Sequence, residues 1–324
     1  MQIISEYPIN DSVIQTLDSI LKDYSITFSI RINKGSSKLL LTDSRIKTCR
    51  FCGKSYPQVS FNNKAHTPPE FTGNKKVFSN YECDTCNGTY FNLFENELAN
   101  FLLPFNTLSG KKVKKNKIPK YKQKGEPTIN HINDLISITN INETRIKKIG
   151  DNCLEMVIKI PTFIPEYIYR CLVKICLSFI PEEKLPIYKM TTDWLMNLNQ
   201  ESNMKPGMLF SVYPNNLQLN DISAIAFERK DDCTKNIPYS IFCLSFNNCA
   251  FQTYIPYCSK EKFNINLNGY PFILPTPIDL NKNNENTRTV SLFDLNSKEK
   301  KSNESITITI KGDQIIDSLK NTKR

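Results

Sequence analysis

Little in this sequence suits a membrane or the secretory route. Hydrophobic residues make up 40% and charged residues 23% of the chain, and no stretch approaches the ~18 to 20 consecutive apolar residues that a membrane span needs. The segment Met1 to Asp11 lacks the basic start, apolar run and small-residue cleavage site of a secretory signal. The expectation is a soluble chain in the cytoplasm with no membrane partner. A Gly-rich phosphate loop and a Ser-His-Asp pattern are also missing, as is any internal repeat. Histidine is scarce, with two in 324 residues, and Trp194 is the only tryptophan.

What the sequence does hold is sulfur in pairs. In a reducing compartment its eleven cysteines do not read as a disulfide framework. Cys49 and Cys52, then Cys83 and Cys86, each leave a two-residue gap. That gap lets both thiolates of a tight turn reach one tetrahedral ion at about 2.3 Å. Gly53 follows the first pair and frees the backbone to turn beneath the metal. The expectation is a structural Zn2+ held by these cysteines. Cys171, Cys176, Cys243 and Cys249 lie inside apolar runs and read as buried small hydrophobes. His66 falls between the two pairs, whereas His131 stands outside any cluster and reads as a surface or packing residue.

The formal net charge of +10 is unevenly spread: KKVKKNKIPKYKQK, Lys111 to Lys124, carries eight lysines and no acid. A solvated linker and a polyanion-binding arm are both compatible with such a run. Its place directly after the cysteine-paired segment favours nucleic acid, with Lys111, Lys112, Lys114 and Lys115 as the candidate contacts.

Periodicity divides the chain into a lead-in at 1–48, the cysteine-paired segment at 49–103, a basic linker at 104–127 and a C-terminal unit at 128–324. The lead-in is expected to hold a helix over Asp11 to Tyr24 and strands over Ile26 to Ile32 and Leu39 to Leu41. Between the cysteine pairs, strands over Gln58 to His66 and Lys76 to Tyr81 would be joined through a Gly73-Asn74 turn. A helix over Cys83 to Leu103 follows, with Phe91, Phe94, Leu98, Phe101 and Leu102 on one apolar face. That spacing favours a core stripe over base stacking for the aromatic residues, and Glu95 and Glu97 read as the solvated face. The C-terminal unit reads as a strand over Cys153 to Ile160, helices over Pro165 to Ile180 and Leu185 to Leu198, and four strands between Met208 and Tyr257. Lys282 to Lys301 reads as mobile, and Ser305 to Ile310 as an edge strand. The fold class is α+β, a zinc-stabilised ββα module followed by an α+β unit with an antiparallel sheet.

CRFCGKS at 49–55, AHTPPE at 65–70, Asn80 within FSNYE and CDTCN at 83–87 together resemble the HNH endonuclease family in its four-cysteine zinc variant. The resemblance covers Cys49 to about Leu103 and implies a ββα-metal, treble-clef-like module. It implies that His66 is the general base, that Asn80 orients it and that Asn87 holds a catalytic Mg2+ or Mn2+. It also implies DNA as substrate and cleavage to 5'-phosphate and 3'-hydroxyl ends. Ala65 stands where the family usually places an acidic metal ligand: either another oxygen ligand, with Glu70 the choice, replaces it, or the site binds metal weakly, or catalysis has been lost. A nuclease module joined to an unrelated unit resembles anti-phage defence effectors and restriction enzymes. The competing expectation is a zinc-knuckle nucleic-acid-binding protein without catalysis, and a third is a protein that uses zinc only to fold. The C-terminal unit would regulate, recognise the target or build a homo-oligomer.

Overall fold

The computed structural model describes residues 11–33, 35–42, 47–112, 117–132, 135–140, 143–200, 206–213, 219–262, 272–280 and 288–312. Its centre is a six-stranded antiparallel sheet of β1 (Tyr24–Ile32), β9 (Gly207–Val212), β10 (Leu219–Arg229), β11 (Ser240–Asn247), β12 (Cys249–Tyr254) and β13 (Thr289–Asp294), in the order β1-β10-β11-β12-β9-β13. Every residue of β11 is buried, because both faces of the sheet are covered. Phe242, Leu244 and Phe246 join the main core, while Ile241 and Cys243 pack with Ile20 of α1 (Asp11–Asp23) and with Leu274 on the other side. This two-sided covering explains why the segment reads as one apolar run rather than as an alternation.

Helix α3 (Pro165–Phe179) packs within the main core and is buried almost along its whole length. Pro165 suits its first turn, and the Ile164 amide just before it donates to the Glu97 carboxylate at 2.9 Å. A helix buried all round must neutralise its charges internally. Arg170 accordingly lies 2.7 Å from Glu166 and donates to the carbonyls of Trp194 and Leu195 at the end of α4 (Lys189–Met196). The helix expected over Leu185 to Leu198 is split: Pro186 sits in a 3-10 stretch, Glu182–Tyr188, and α-helix begins only at Lys189.

The cysteine-paired segment holds a small sheet in the order β2-β4-β3, from β2 (Leu39–Leu41), β3 (Ala65–His66) and β4 (Val77–Ser79), with β2 parallel and β3 antiparallel to β4. The expected strand over Gln58 to His66 is thus corrected to two residues. Upstream of it the amides of Asn62 and Asn63 bond the Asp84 carboxylate, at 2.9 and 2.8 Å, instead of a neighbouring strand. The helix after the second cysteine pair opens with a π-helical turn, Cys86–Phe91, and continues as α2 (Asn92–Leu108). It runs past Pro104 into the expected linker because Phe105 and Leu108 find buried positions. Phe101 meets Phe163, Phe210 and Phe293 at centroid distances of 5.4, 5.2 and 5.2 Å, so the aromatic stripe belongs to the core.

The lead-in contributes β1 to the large sheet and β2 to the small one. Four strands between residues 128 and 150 and after 288 were not anticipated. These are the hairpin β5 (Thr128–Ile132) and β6 (Leu135–Thr139), together with β7 (Ile146–Gly150) and β13. The expectation of a mobile Lys282 to Lys301 fails over Thr289–Asp294, where β13 pairs with β9; residues 281–287 lie outside the described residues. Strand β14 (Ser305–Lys311) is an edge strand as expected, in the order β14-β8-β7 with β8 (Cys153–Lys159) at the centre. Among the described residues no helix is long and apolar enough to cross a membrane.

Candidate active site and metal cluster

The first cysteine pair lies on a turn closed by its own backbone. The Cys49 amide donates to the Lys54 carbonyl at 2.8 Å and the Gly53 amide returns to the Cys49 carbonyl at 2.9 Å. Gly53 adopts φ +70°, which a side chain would strain. The second pair opens the helix, where the Asn87 amide donates to the Cys83 carbonyl at 3.0 Å. All four sulfurs lie within 4.8 Å of one another, with Cys49 to Cys86 at 3.7 Å and Cys52 to Cys83 at 3.8 Å. A tetrahedron with metal–sulfur bonds of about 2.3 Å has edges of about 3.8 Å, so the donor set fits Zn2+. The Cys83 and Cys86 amides point at the Cys49 and Cys83 sulfurs, at 3.5 and 3.4 Å, and favour thiolate there. The hydrogen bond with Cys86 outweighs burial and lowers the Cys49 thiol to about 5, while the same contact drives Cys86 upward.

The short hairpin sorts its residues between two faces. Ala65, Thr67, Val77, Ser79 and Tyr81 are buried, whereas Lys64 is exposed and His66, Lys76, Phe78 and Asn80 are half-buried. His66 is paired with Phe78 in the β3–β4 register and their rings lie 4.7 Å apart. The loop between the strands turns through Gly73, at φ +95°, into Asn74. The buried Asn74 amide group donates to the Pro68 and Val77 carbonyls at 2.7 and 2.8 Å and accepts from the Lys76 and Val77 amides at 3.0 and 2.9 Å. Its carbonyl lies 3.1 Å from His66 Nδ1. A carbonyl can only accept, so Nδ1 carries the proton and Nε2 keeps its lone pair. Ala65 is 2% exposed on the core side, where a carboxylate would be buried, which accounts for the small apolar residue there.

Asn80 directly follows β4, and its amide donates to the Leu41 carbonyl at 2.9 Å. Asn87 is half-buried in the π-helical turn, one residue beyond Cys86. Glu70 opens a 3-10 turn, Glu70–Thr72, and is half-buried. Lys111 follows the end of α2, with its side chain beside Gly73 and its ammonium 3.4 Å from the Leu219 carbonyl; Lys112 is exposed, and Lys114 and Lys115 lie outside the described residues. His131 contacts the Thr107 carbonyl at 2.6 Å, a packing role at the end of α2.

Sequence reasoning missed the residues that hold this segment against α3. Arg50, between the paired cysteines, donates to the Leu177 and Ile180 carbonyls at 2.6 and 2.9 Å and lies 4.0 Å above the Tyr81 ring. The Tyr81 hydroxyl donates to the Ser178 carbonyl. Lys174 of α3 lies 3.2 Å from both Glu82 and Glu95. Burial raises Glu82 to about 7 although Lys174 opposes the shift, and the two carboxylates hold Lys174 protonated against its own burial. Glu95 and Glu97, expected on a solvated face, instead pair with Lys174 and the Ile164 amide. The only available signal was a lysine within the apolar period of α3, which requires a buried partner.

Residues 49–103 match the family described as HNH endonuclease, and the four-cysteine cluster agrees with its zinc-bearing variant. The match is confined to that segment, less than half of the chain. No curated protein and no solved structure matches the chain.

Proposed function

We propose that the protein is a metal-dependent endonuclease of the HNH type that hydrolyses DNA phosphodiester bonds. The observation that carries the reading is His66, whose Nδ1 donates to the Asn74 carbonyl so that the basic Nε2 stands on the solvent face of a hairpin tied to the cysteine cluster. His66 takes a proton from water, the resulting hydroxide attacks phosphorus, and the bond from phosphorus to the 3'-oxygen breaks. The products are a 5'-phosphate and a 3'-hydroxyl. Asn74 fixes the ring through its backbone carbonyl and the loop through its side chain, and the orienting role that the resemblance gives Asn80 would be exercised from the position just beyond β4.

Glu70 and Asn87 offer one carboxylate and one amide oxygen, hard donors that suit Mg2+ or Mn2+ completed by water and phosphate. Such an ion supplies Lewis-acid charge for the phosphoryl and leaving oxygens. Among the described residues the cysteines form the only group of three or more His, Cys, Asp or Glu side chains able to share an ion. A water- and phosphate-rich ion shell therefore fits better than an all-protein cage. Zn2+ in the cysteine cluster is structural. The remaining sheet-rich part recognises a target, regulates, or joins two copies of the chain, an organisation suited to an anti-phage defence effector.

A non-catalytic zinc-knuckle DNA-binding protein is the second reading, favoured by Ala65 and the missing acid beside His66. Plasmid cleavage with Mg2+ or Mn2+ decides between them. His66→Ala is expected to reduce the rate about 10²- to 10⁴-fold, the usual contribution of a positioned base. Equal background from both proteins would sink the nuclease reading.

A further inference from the structure

We infer that Lys64 and Lys76 are the lysines that hold the DNA backbone at His66, on either side of the phosphate being cut. This rests on the nuclease reading above but extends it to residues outside the lysine-rich run. The hairpin face that carries His66 carries both lysines, because Ala65, Thr67, Val77 and Ser79 take the buried positions between them. Register sets them apart along that face. Ala65 pairs with Ser79, His66 with Phe78, and the Thr67 amide donates to the Val77 carbonyl at 3.1 Å. Lys64 therefore stands at the Asn80 end and Lys76 at the Pro68 end, with His66 between.

Four residues of extended chain separate those ends by roughly 13 Å, and neighbouring phosphates of one DNA strand lie roughly 6–7 Å apart because each ~3.4 Å of axial rise is accompanied by a turn of the helix. Each lysine thus reaches phosphates about one step from the one at His66. Lys76 is set by the residue that also sets the base, since its amide donates to the Asn74 side chain at 3.0 Å and Asn74 holds the imidazole. The segment's charge agrees: Lys47, Arg50, Lys54, Lys64, Lys75 and Lys76 face a single acid, Glu70, between residues 47 and 76. The first lysine of the linear run, in contrast, directs its ammonium to the Leu219 carbonyl.

Binding of a fluorescent DNA duplex by the full-length His66→Ala chain, followed across salt concentrations, tests the assignment without cleavage. Lys64→Gln and Lys76→Gln are each expected to flatten the plot of log K against log[salt] by about 0.9, and the pair by about 1.8. Arginine at either position should restore the slope, which a purely structural role for the lysine would not require. Lys189→Gln, at an exposed position of α4, should leave the slope unchanged. Unaltered slopes in folded Lys64 and Lys76 variants, with a parent that binds DNA in a salt-dependent way, would overturn the assignment and spare the nuclease reading. No DNA binding by the parent together with no cleavage by the unmodified chain would overturn both.

Discussion

The cysteine-held segment and the six-stranded sheet bury the same residue type for opposite purposes. In the sheet, Cys243 is raised to about 11 by burial and Cys249 is pushed up further, so both stay protonated and fill space like small hydrophobes. In the small segment four sulfurs converge within 4.8 Å of one another, and the hydrogen bond between Cys49 and Cys86 lowers the first thiol to about 5 while raising the second; burial raises Cys83 to about 11. The difference follows from what each region can build. The sheet has strands of six to eleven residues with its central β11 buried throughout, whereas β3 and β4 have two and three residues, too few ladder bonds to hold a hairpin by themselves. A metal at the cysteines would pin the short strands' segment to the helix that follows it, beside an apolar core shared with α3, whereas apolar packing alone holds the long strands.

The largest expected effect comes from removing one thiol from the cysteine cluster and, for contrast, one from the apolar core that α3 shares with the sheet. Cys86→Ser should abolish stoichiometric zinc and unfold residues 47–108, since zinc binding to such sites contributes on the order of 10–16 kcal/mol to folding. Cys176→Ala, in the fully buried α3, should cost only about 1 kcal/mol. Metal content and thermal melting of the two variants measure the gap. If the Cys86 variant kept its zinc and melted with the parent, cysteine would play one role throughout.

The sequence spelled out the metal cluster because spacing alone encodes a tetrahedron, and it spelled out α1, α3 and the long strands because their apolar periods are strong. It did not disclose Asn74's contact with His66, since a backbone carbonyl acts there and any residue has one. Nor could it disclose that β3 shrinks to Ala65–His66 and α2 outruns Pro104, because tertiary partners decide both ends. The strand at Thr289–Asp294 was hidden by polar neighbours, its identity fixed only by the free edge of β9. Glu95 read as solvated, but α3 brings Lys174 between it and Glu82.

That buried lysine is the next place to sharpen the comparison, because it is where the two regions meet by charge. Lys174→Ala should destabilise the chain by about 3–5 kcal/mol, the usual result of leaving a buried partner unpaired. Combining Lys174→Met with Glu82→Gln should recover most of the loss. The sign of the pH dependence is set by Glu82, whose carboxyl rises from 4.5 unfolded to about 7 in the fold. Its own contribution is favourable below pH 4.5 and is lost as pH climbs through about 7. Removing Lys174 raises that carboxyl further, so the variant's deficit should be larger at pH 8 than at pH 5 in urea titrations. An equal deficit at both values would show that Glu82 does not ionise against Lys174.

Arg50 gives a smaller and more local break, since its guanidinium joins the zinc turn to the last carbonyls of α3 from a half-buried position. Arg50→Ala should cost about 2 kcal/mol, in the range of a hydrogen bond from a charged donor, and should leave zinc content unchanged because neither cysteine of the turn is touched. Arg50→Lys should recover only part of the loss: one guanidinium nitrogen donates to both carbonyls, which an ammonium could imitate, but a compact ammonium cannot also lie flat over the Tyr81 ring. Since Phe51, Phe91 and Phe94 share one core cluster with Ile168, Leu172 and Phe242, the variant should still melt in a single transition at lower temperature. Two separated transitions, with the later one at the parent's temperature, would mean that the sheet keeps its stability without the metal-held segment and that the apolar contact between them contributes little.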